Sequence, residues 1–395
     1  MMAACDTRPA EIPTDWQAFR DFRGRRFVFF AGHFDFFSGA ERQAVYLAGE
    51  LVKQLDADVT FVGWGGNGRL AVEVQSVGAK TAIFPLNVRL TCWSDRLQLL
   101  GLARMLRQQL RPEFLLPYVW MHCKAVGAIW RLTGAKFCWW NQRDEGRGID
   151  GTWLERRLMR TLPAIVSNSW EGRDFLMSKF HLPPNRIEVI NNGIQLPQMG
   201  RDLEPRKHHG VALDAYLIAM IGNLTPYKDH LTLLKAFAEA RRLCPGQNLQ
   251  LMLVGSHYET TASIKALAWD LGLQGCLHLP GQVADITGLL RATDLVVHSS
   301  LTEGCPNGVL EPMALGLPVL GTDISGLRQA LGESMAARSL SPAHDWQRLG
   351  WLISEYVAHR QVGIRDGLAN RERIEQHFSI SRMALHSMFA ISRIL

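Results

Sequence analysis

The sequence predicts an α/β protein built from two doubly wound domains that face each other across a cleft. Short apolar runs, typical of strands buried on both faces, alternate with amphipathic helical stretches along both halves of the chain, as parallel sheets require. The chain has 395 residues, and two domains are the natural expectation for that length. Hydrophobic residues make up 47% and charged residues 20%, which suits a globular chain with sizeable cores.

The first half is predicted to alternate strand and helix from its first apolar run onward. Such runs predict strands at 27–31, 59–63, 114–119 and 136–140. After the first strand, apolar residues spaced three and four apart predict a helix along Ala44, Leu47, Ala48, Leu51 and Leu55. Two further helices are predicted over 94–110 and 125–132. The domain boundary is placed near residue 197, where prolines cluster at Pro183, Pro184, Pro197 and Pro205.

The second half repeats the alternation. Apolar runs predict strands at 217–221, 249–255, 295–297 and 317–320. Pro306 suits a helix start and Gly316 suits its end, so the stretch 294–326 is predicted as strand, loop, helix, strand and loop. After Gly326 the chain is predicted to be mainly helical.

Two carboxylates stand out within that stretch. Glu303 lies in the loop after a predicted strand, and Glu311 lies about a turn inside the next helix. Open α/β sheets bind ligands at the carboxyl ends of their strands. Two carboxylates held eight positions apart there are able to accept hydrogen bonds from vicinal hydroxyls, which sugars and riboses carry. The plainer alternative is an ordinary βαβ unit with two solvated glutamates.

The stretch 294–326 closely resembles the Glu-x7-Glu signature of the retaining glycosyltransferases of the GT-B fold, specifically family 4. The match extends beyond the two glutamates to Ser299, Ser300, Gly304, Pro306, Asn307, Pro318, Val319, Thr322 and Asp323. The resemblance implies two Rossmann-like domains across a cleft. Residues 1–196 would bind the acceptor, residues 197–375 would bind a nucleotide sugar, and a terminal helix over 376–395 would cross back onto the first domain.

Two further loops resemble the parts of this family that hold the donor diphosphate. Residues 222–230 resemble the Gly-Arg-x-x-x-x-Lys-Gly loop: Lys228 matches, but Asn223 stands where the family has Arg. Residues 37–42 resemble the Gly-Gly-x-Glu-Arg loop, with Ser38 in place of the first glycine and Gly39 kept. The resemblance implies that these loops act together with backbone N–H groups near Pro306, Asn307 and Gly308.

The family pattern also implies where the sugar and nucleoside lie. Glu303, with the adjacent Gly304, would hold hydroxyls of the transferred sugar, and Glu311 would hold the ribose hydroxyls. The segment 276–286 resembles the family's strand and loop that meet the base through backbone groups, at Val283.

A catalytic histidine of the family is absent. Asn141 falls where many members place a histidine near the donor sugar. Arg143 and Asp144 follow it, and the resemblance implies that they hold a sugar hydroxyl or an acceptor phosphate. A charged surface loop is the alternative for these residues.

The resemblance implies a retaining hexosyltransferase that moves a sugar from a nucleotide-diphosphate sugar to a hydroxyl acceptor. A UDP-sugar is favoured and a GDP-sugar comes next, with no other cofactor. The acceptor would be a saccharide or a lipid-linked saccharide in cell-surface polysaccharide or lipopolysaccharide synthesis. The alternative is a sugar-nucleotide or glycan-binding protein that has lost catalysis, because Asn223 and Asn141 replace the family's Arg and His. A nucleotide-sugar epimerase is a weaker third interpretation.

No metal requirement is expected. A GT-A glycosyltransferase would need a metal-binding Asp-x-Asp, and the only such pattern, at Asp56 and Asp58, falls between a predicted helix and strand. The seven cysteines are scattered without any Cys-x-x-Cys, which favours reduced thiols in a cytosol over disulfides or a zinc site.

The charge is uneven along the chain. Residues 1–196 carry 25 Lys and Arg against 19 Asp and Glu, whereas residues 197–395 carry 18 of each. The first half is also rich in tryptophan. Its basic charge and its tryptophans together indicate an anionic membrane surface or a phosphorylated acceptor as a partner. The alternative is a solvated basic face and Trp in a core. Nucleic acid is not expected, because no reader motif accompanies the charge.

The location follows from what the sequence lacks. It has no run of 18 uncharged apolar residues, and its start lacks the basic-then-apolar order of a secretory signal. We therefore expect a cytoplasmic protein, with peripheral binding to the inner face of the membrane as a further expectation.

Overall fold

The computed structural model describes residues 12–86, 93–144, 146 and 148–395. The first half forms a seven-stranded sheet in the order β3-β2-β1-β4-β5-β6-β7, and every pairing in it is parallel. Its strands are β1 (Arg26–Phe30), β2 (Asp58–Gly63), β3 (Lys80–Ile83), β4 (Phe114–Pro117), β5 (Phe137–Gln142), β6 (Ala164–Ser167) and β7 (Ile187–Val189).

Helices cover both faces of this sheet. They are α1 (Gly39–Leu55), α2 (Arg69–Ser76), α3 (Trp93–Met105), α4 (Trp120–Ile129), α5 (Trp153–Thr161) and α6 (Trp170–Phe180). Successive side chains of a strand point to opposite faces: Phe27 and Phe29 of β1 join the core under α1 and α2, while Val28 and Phe30 join the core under α3 to α6. A fully buried phenylalanine contributes about 1.5–3 kcal/mol, so this strand anchors both layers.

The second half forms a six-stranded parallel sheet in the order β10-β9-β8-β11-β12-β13. After the short α7 (Glu204–His208), its strands are β8 (Tyr216–Ile221), β9 (Leu249–Val254), β10 (Leu277–Gly281), β11 (Leu295–His298), β12 (Val319–Thr322) and β13 (Leu340–Ser341). Its helices are α8 (His230–Leu243), α9 (Thr261–Asp270), α10 (Ile286–Arg291), α11 (Asn307–Ala314), α12 (Ser325–Leu331), α13 (Glu333–Ser339), α14 (Trp346–Ala358) and α15 (Arg360–His377).

Both sheets reverse their winding direction at one point. The strand order turns back between β1 and β4 in the first sheet and between β8 and β11 in the second. In open α/β sheets, the crevice outside the carboxyl ends of the strands at such a switch point is where ligands bind. The fold therefore places a ligand crevice in each domain.

The last helix, α16 (Ile380–Ser392), belongs to the first domain by its packing. Met383, Met388 and Ile391 are buried in the same core as Phe27 and Leu51. The chain returns beside its earlier passage between the domains, because the Ile194 N–H donates to the Phe378 carbonyl at 2.7 Å. The two domains are thus joined by two chain segments that lie side by side.

Three predicted elements differ from those in the structure. Strand β5 continues two residues past its predicted end, so Asn141 lies inside the strand. Helix α4 begins at Trp120 rather than at residue 125. The predicted helix over 94–110 is α-helical only to Met105; a π-helical turn, Leu106–Leu110, follows and ends at Arg111, whose φ is 46°.

Two expectations fall partly outside the described residues. For the expectation of reduced thiols, Cys5 and Cys92 lie outside the described residues, and the other five cysteines are free thiols. Among the helices that the structure describes, none has the length and apolar character needed to cross a membrane.

Candidate active site

A cleft of ≈ 560 Å³ lies between the two domains, lined by loops that follow the carboxyl ends of strands in both sheets. The structure brings ten of the predicted site residues to its walls: Ser38, Gly39, Arg143, Asn223, Lys228, Glu303, Pro306, Asn307, Gly308 and Glu311. Four others, Asn141, Asp144, Val283 and Gly304, lie outside this lining.

Glu303 is held by three side chains of its own domain. Its carboxylate forms an ion pair with the Lys228 ammonium, and the two side chains are each 11% exposed. The Ser300 hydroxyl donates to Glu303 Oε1 at 2.8 Å, and His298 Nε2 lies 2.9 Å from the same oxygen. Burial opposes ionisation of this carboxyl, but Lys228 and His298 more than offset it, so the pKa of Glu303 is held well below its usual range.

The surroundings of His298 disfavour its charged form, and its contact with Glu303 orients the ring. The side chain is fully buried at the end of β11, and Nδ1 has no hydrogen-bond partner among the described residues. Burial and the nearby Lys228 lower the pKa of His298. A neutral ring carries one N–H, and its place is on Nε2, where the Glu303 carboxylate accepts it. His298 therefore orients Glu303.

A tight turn aims Lys228 at the carboxylate. Lys228 ends a short 3-10 turn, and Asp229 follows with a left-handed φ of 46° as the N-cap of α8. The Ser299 hydroxyl lies 3.0 Å from the backbone carbonyls of both Lys228 and Asp229. The loop after β11 thus fixes the loop after β8, and both charged groups are positioned by the same second-domain scaffold.

Glu311 has a different setting, because its partner comes from the other domain. Arg42 on α1 reaches across and pairs with Glu311 on α11 through Oε1. Burial raises the pKa of Glu311, and Arg42 offsets that rise only in part.

Two helix N-termini meet in the cleft. A Cβ on Gly39, the first residue of α1, would lie 2.9 Å from Nδ2 of Asn307, the first residue of α11. The first N–H groups of a helix have no acceptor within it, and the end carries partial positive charge. At position 308 glycine is required, since a Cβ there would lie 2.4 Å from the backbone carbonyl oxygen of Ile221. The arrangement is suited to binding an anion.

Arg143 adds a full positive charge at the same place. Its guanidinium donates to Asn192 Oδ1 at 2.5 Å and lies over the Tyr118 ring at 5.3 Å. Asn192 in turn donates to the Cys305 carbonyl and to Asn307 Oδ1 at 2.9 and 2.8 Å. Among the described residues, Arg143 has no ion pair, so this cation is available to a ligand.

Asn223 has a structural contact of its own. Its side-chain oxygen accepts the Ser256 N–H at 3.0 Å, which ties the loop after β8 to the loop after β9. Gly255 allows this approach, because a Cβ there would lie 2.3 Å from the Gly222 carbonyl. The side chain of Asn223 is exposed and supplies no charge.

The other four predicted residues are placed as follows. Asn141 is buried within β5, where its N–H lies 3.4 Å from Cys123 Sγ, so its predicted contact with the donor has no geometric support. The Asp144 carboxylate accepts from Gln142 and from the Gly146 N–H within its own loop. Val283 is half-buried beside the second-domain core, and Gly304 packs against Asn168 of the first domain.

Three residues of the site carry weak sequence signals. His298 ends a strand directly before two serines, Asn192 lies in the linker, and Arg42 follows the α1 loop. Asn192 and Arg42 act through Asn307 and Glu311, which lie in the other domain, so these contacts are fixed only by the fold. Within the described part of the chain, no cluster of three or more His, Cys, Asp or Glu is placed to hold a metal ion.

Comparisons with known proteins identify the fold and the family. The family model described as "Glycosyltransferase Family 4" matches residues 37–197, and the family model described as "Glycosyl transferases group 1" matches residues 202–375. The solved structure of Anabaena HepE in complex with UDP and glucose superposes with a TM-score of 0.77 at 15% identity, covering 93% of this chain and 99% of that one. The fold is therefore GT-B, with two Rossmann-like domains. The chain belongs to the group 1 glycosyltransferases of family 4.

Two curated relatives are more similar in sequence but align over less of the chain. The D-inositol 3-phosphate glycosyltransferase of Nocardia farcinica is 29% identical over 53% of this chain and 49% of that protein. The UDP-Gal:alpha-D-GlcNAc-diphosphoundecaprenol alpha-1,3-galactosyltransferase of Escherichia coli is 28% identical over 44% of this chain and 46% of that protein. The chain spans about half the length of the curated relatives it matches.

Proposed function

We propose that the protein transfers a hexosyl group from a nucleotide-diphosphate sugar to a hydroxyl acceptor with retention of the anomeric configuration. The observation that carries the proposal is the meeting of Glu303, Glu311 and Lys228 in one cleft with the N-termini of α1 and α11. Carboxylates suit sugar and ribose hydroxyls, and the cationic groups suit a diphosphate. The sugar, the ribose and the diphosphate of a nucleotide sugar thus each have a matching group.

The chemistry in this proposal needs positioning and charge stabilisation. The bond from the anomeric carbon to the diphosphate oxygen breaks, and the acceptor oxygen forms its bond on the same face. The acceptor proton passes to the departing phosphate oxygen. Lys228, Arg143 and the N–H groups at Asn307 and Gly308 stabilise the charge that develops on the leaving group. We propose a metal-independent reaction, and unchanged turnover after treatment with EDTA is its test.

A UDP-sugar is the donor we favour, with a GDP-sugar next. Anabaena HepE is crystallised with UDP, and the named Escherichia coli relative uses UDP-Gal; both support this preference. The loop after β10 meets the base mainly through backbone groups in our proposal, so the nucleotide must be identified by measurement.

The test is a thermal-shift titration with UDP, GDP, ADP, TDP and CMP, first without metal and then with magnesium. A ligand at one hundred times its dissociation constant adds about 2.7 kcal/mol of stability. One selective nucleoside diphosphate should raise the melting temperature without metal. No shift with any nucleotide in folded protein would contradict the proposal.

A second candidate is a sugar-nucleotide or glycan-binding protein without transferase activity. The observation that favours it is that no histidine is among the described residues lining the cleft. Donor turnover with and without an acceptor extract separates the two candidates, because the binding protein would show a nucleotide-induced shift and no release of nucleoside diphosphate.

We propose a lipid-linked acceptor at an anionic membrane surface. On the first domain, Trp153 of α5 and Leu97 of α3 are each 72% exposed, and Arg157 lies over the Trp153 ring at 5.5 Å. Exposed Trp and Arg suit a membrane interface. Trp153→Ser should weaken co-sedimentation with anionic vesicles. Trp269→Ser in the second domain, also 72% exposed, is the matched control and should not.

A further inference from the structure

The ion pair between Arg42 and Glu311 joins the two domains inside the cleft. Arg42 lies on α1 of the first domain and Glu311 on α11 of the second. The two side chains are 26% and 19% exposed, so the pair is shielded but still reachable by a ligand. The contact forms only when the domains face each other as they do here.

The pair also separates two cavities. The cleft of ≈ 560 Å³ adjoins a second cavity of ≈ 390 Å³, and both are lined by Arg42, Glu311, Phe37 and Ile286. A nucleotide sugar is elongated, with a nucleoside at one end and a hexose at the other. A donor that occupies the cleft therefore passes this pair with its ribose.

One oxygen of Glu311 remains available. Arg42 takes Oε1, and Oε2 has no hydrogen bond from any residue that the structure describes. Arg42 is itself oriented, because its guanidinium lies over the Phe37 ring at 5.6 Å. A buried carboxylate must stay ionised to accept hydrogen bonds from two vicinal hydroxyls, and a fixed guanidinium on its other oxygen favours that state.

We propose that Arg42 is a positioning residue of the donor site, which reaches across from the first domain to hold Oε1 of Glu311 and leaves Oε2 to the ribose hydroxyls. This inference rests on the proposed function and adds a role for the first domain in nucleoside binding. Closure of the domains then completes the ribose site, so donor affinity depends on the domain arrangement.

The surroundings of Glu311 decide how pH acts on this contact. Arg42 and Tyr46 lie on α1, Arg69 and Glu73 on α2, and Asp285 precedes α10; all line the adjoining cavity. Within the described residues, Arg42 is the only one of these that forms an ion pair with the carboxylate, and Tyr46 lies near enough for Glu311 to raise its pKa. Without Arg42, the buried carboxyl would bind a proton at a higher pH, and nucleotide affinity would fall as the pH is lowered from neutrality.

The experiment measures dissociation constants for UDP and 2′-deoxy-UDP between pH 5.5 and 8.5, in wild type, Arg42→Ala, Arg42→Lys and Arg69→Ala. Arg69 also lies over Phe37, at 5.5 Å, but does not contact Glu311, so Arg69→Ala is the matched control for a lost cation. GDP and 2′-deoxy-GDP replace the uridine pair if wild type binds only guanosine nucleotides.

Arg42→Ala should weaken UDP binding about tenfold at neutral pH, the effect of losing one charge-assisted contact. It should also lose the wild-type preference for the ribose form over the deoxy form and bind progressively less at lower pH. Arg42→Lys should recover part of the UDP affinity and part of the preference for the ribose form. Arg69→Ala should keep the wild-type preference. Donor turnover should show a raised KM with kcat little changed.

Two results would overturn the inference, and they are distinguishable. If wild type binds UDP and Arg42→Ala keeps both the affinity and the ribose preference across the pH range, Arg42 has no positioning role and the proposed function stands. If folded wild type binds neither UDP nor GDP, the proposed function fails and this inference fails with it.

Discussion

The surroundings of Glu303 and Glu311 differ in where their partners come from. Glu303 has Lys228, Ser300 and His298, all from the second domain, and its pKa is lowered. Glu311 has Arg42 from the first domain, and its pKa is raised because burial outweighs that single cation. One carboxylate is organised before the domains meet, and the other is completed by their meeting. Under the proposed function, these two settings correspond to chemistry at the sugar and to closure around the nucleoside.

The largest effect should come from Glu303→Gln, which keeps the shape of the side chain but removes its charge. Turnover should fall on the order of a hundredfold or more, as when a preorganised group that contacts the transition state is lost. The melting temperature should also fall, because the Lys228 ammonium loses its partner, so turnover is compared at a temperature where both proteins are folded. Steady-state rates of nucleotide release with a competent acceptor measure the fall in turnover.

Glu333→Gln is the control for that change, because Glu333 is 83% exposed, pairs with Arg328 and does not line the cleft. It should leave the rate unchanged. Retention of near-normal turnover by Glu303→Gln would falsify the assignment of Glu303.

Lys228→Ala tests whether Glu303 depends on its own domain. Removing one partner of a buried ion pair costs about 3 kcal/mol, because the other charge is left unpaired. In a Glu303→Gln background the same change should cost less than about 1 kcal/mol, since an amide needs no cation. Urea unfolding of the four proteins gives the coupling, and turnover of Lys228→Ala should also fall.

Lys207→Ala provides the comparison with an exposed pair. Lys207 is 57% exposed beside Glu204, and surface pairs contribute little, so its unfolding midpoint should not move. Equal costs of Lys228→Ala in both backgrounds would mean that the ion pair does not govern the site.

Arg143→Gln tests whether the first domain supplies a cation that the second lacks. We expect turnover to fall about tenfold, the loss of one charge-assisted interaction with the leaving group. Adding Asn223→Arg should recover part of that rate, since it restores a charge on the loop after β8. Asn223→Gln is the matched control without charge. A double variant no better than Arg143→Gln would show that the two positions do not serve the same phosphate.

The smallest effect should appear in the pH dependence of stability. The pKa of Glu303 is lower in the folded state than the value of about 4.3 expected for an unfolded chain. Its contribution is therefore fully present above about pH 4.3 and is lost as the pH falls toward the folded pKa. The free-energy difference between wild type and Glu303→Gln should shrink between about pH 5 and pH 3 in denaturant titrations. A difference that is constant over this range would contradict the lowered pKa.

Sequence alone was sufficient for parts of the site whose geometry is local. Glu303, Glu311 and Lys228 follow strands that end in turn residues, and the carboxyl ends of parallel strands meet at one edge, so their convergence could be predicted. The class of fold, two doubly wound sheets, was predictable for the same reason, and the solved structures confirm it.

The rest depended on contacts between distant parts of the chain. Arg42 belongs to the segment 37–42 that the sequence analysis singled out, but its partner lies 269 positions away in the other domain. Asn141 was placed one residue past its strand, and the strand extends to Gln142 because parallel pairing with β6 continues to Ser167. Strand β13 has only two residues, too few for a periodic pattern to indicate it.

The packing of α16 also affects how the chain is made. Leu47 and Leu51 of α1 share a core with Met383 and Met388, so the first domain is completed by residues that are translated after the whole second domain. At about 5–20 residues per second, synthesis of the second domain delays α16 by roughly ten to forty seconds after the rest of the first domain has been made. During that interval the nascent first domain presents an uncovered apolar surface, which is the kind of surface that chaperones bind.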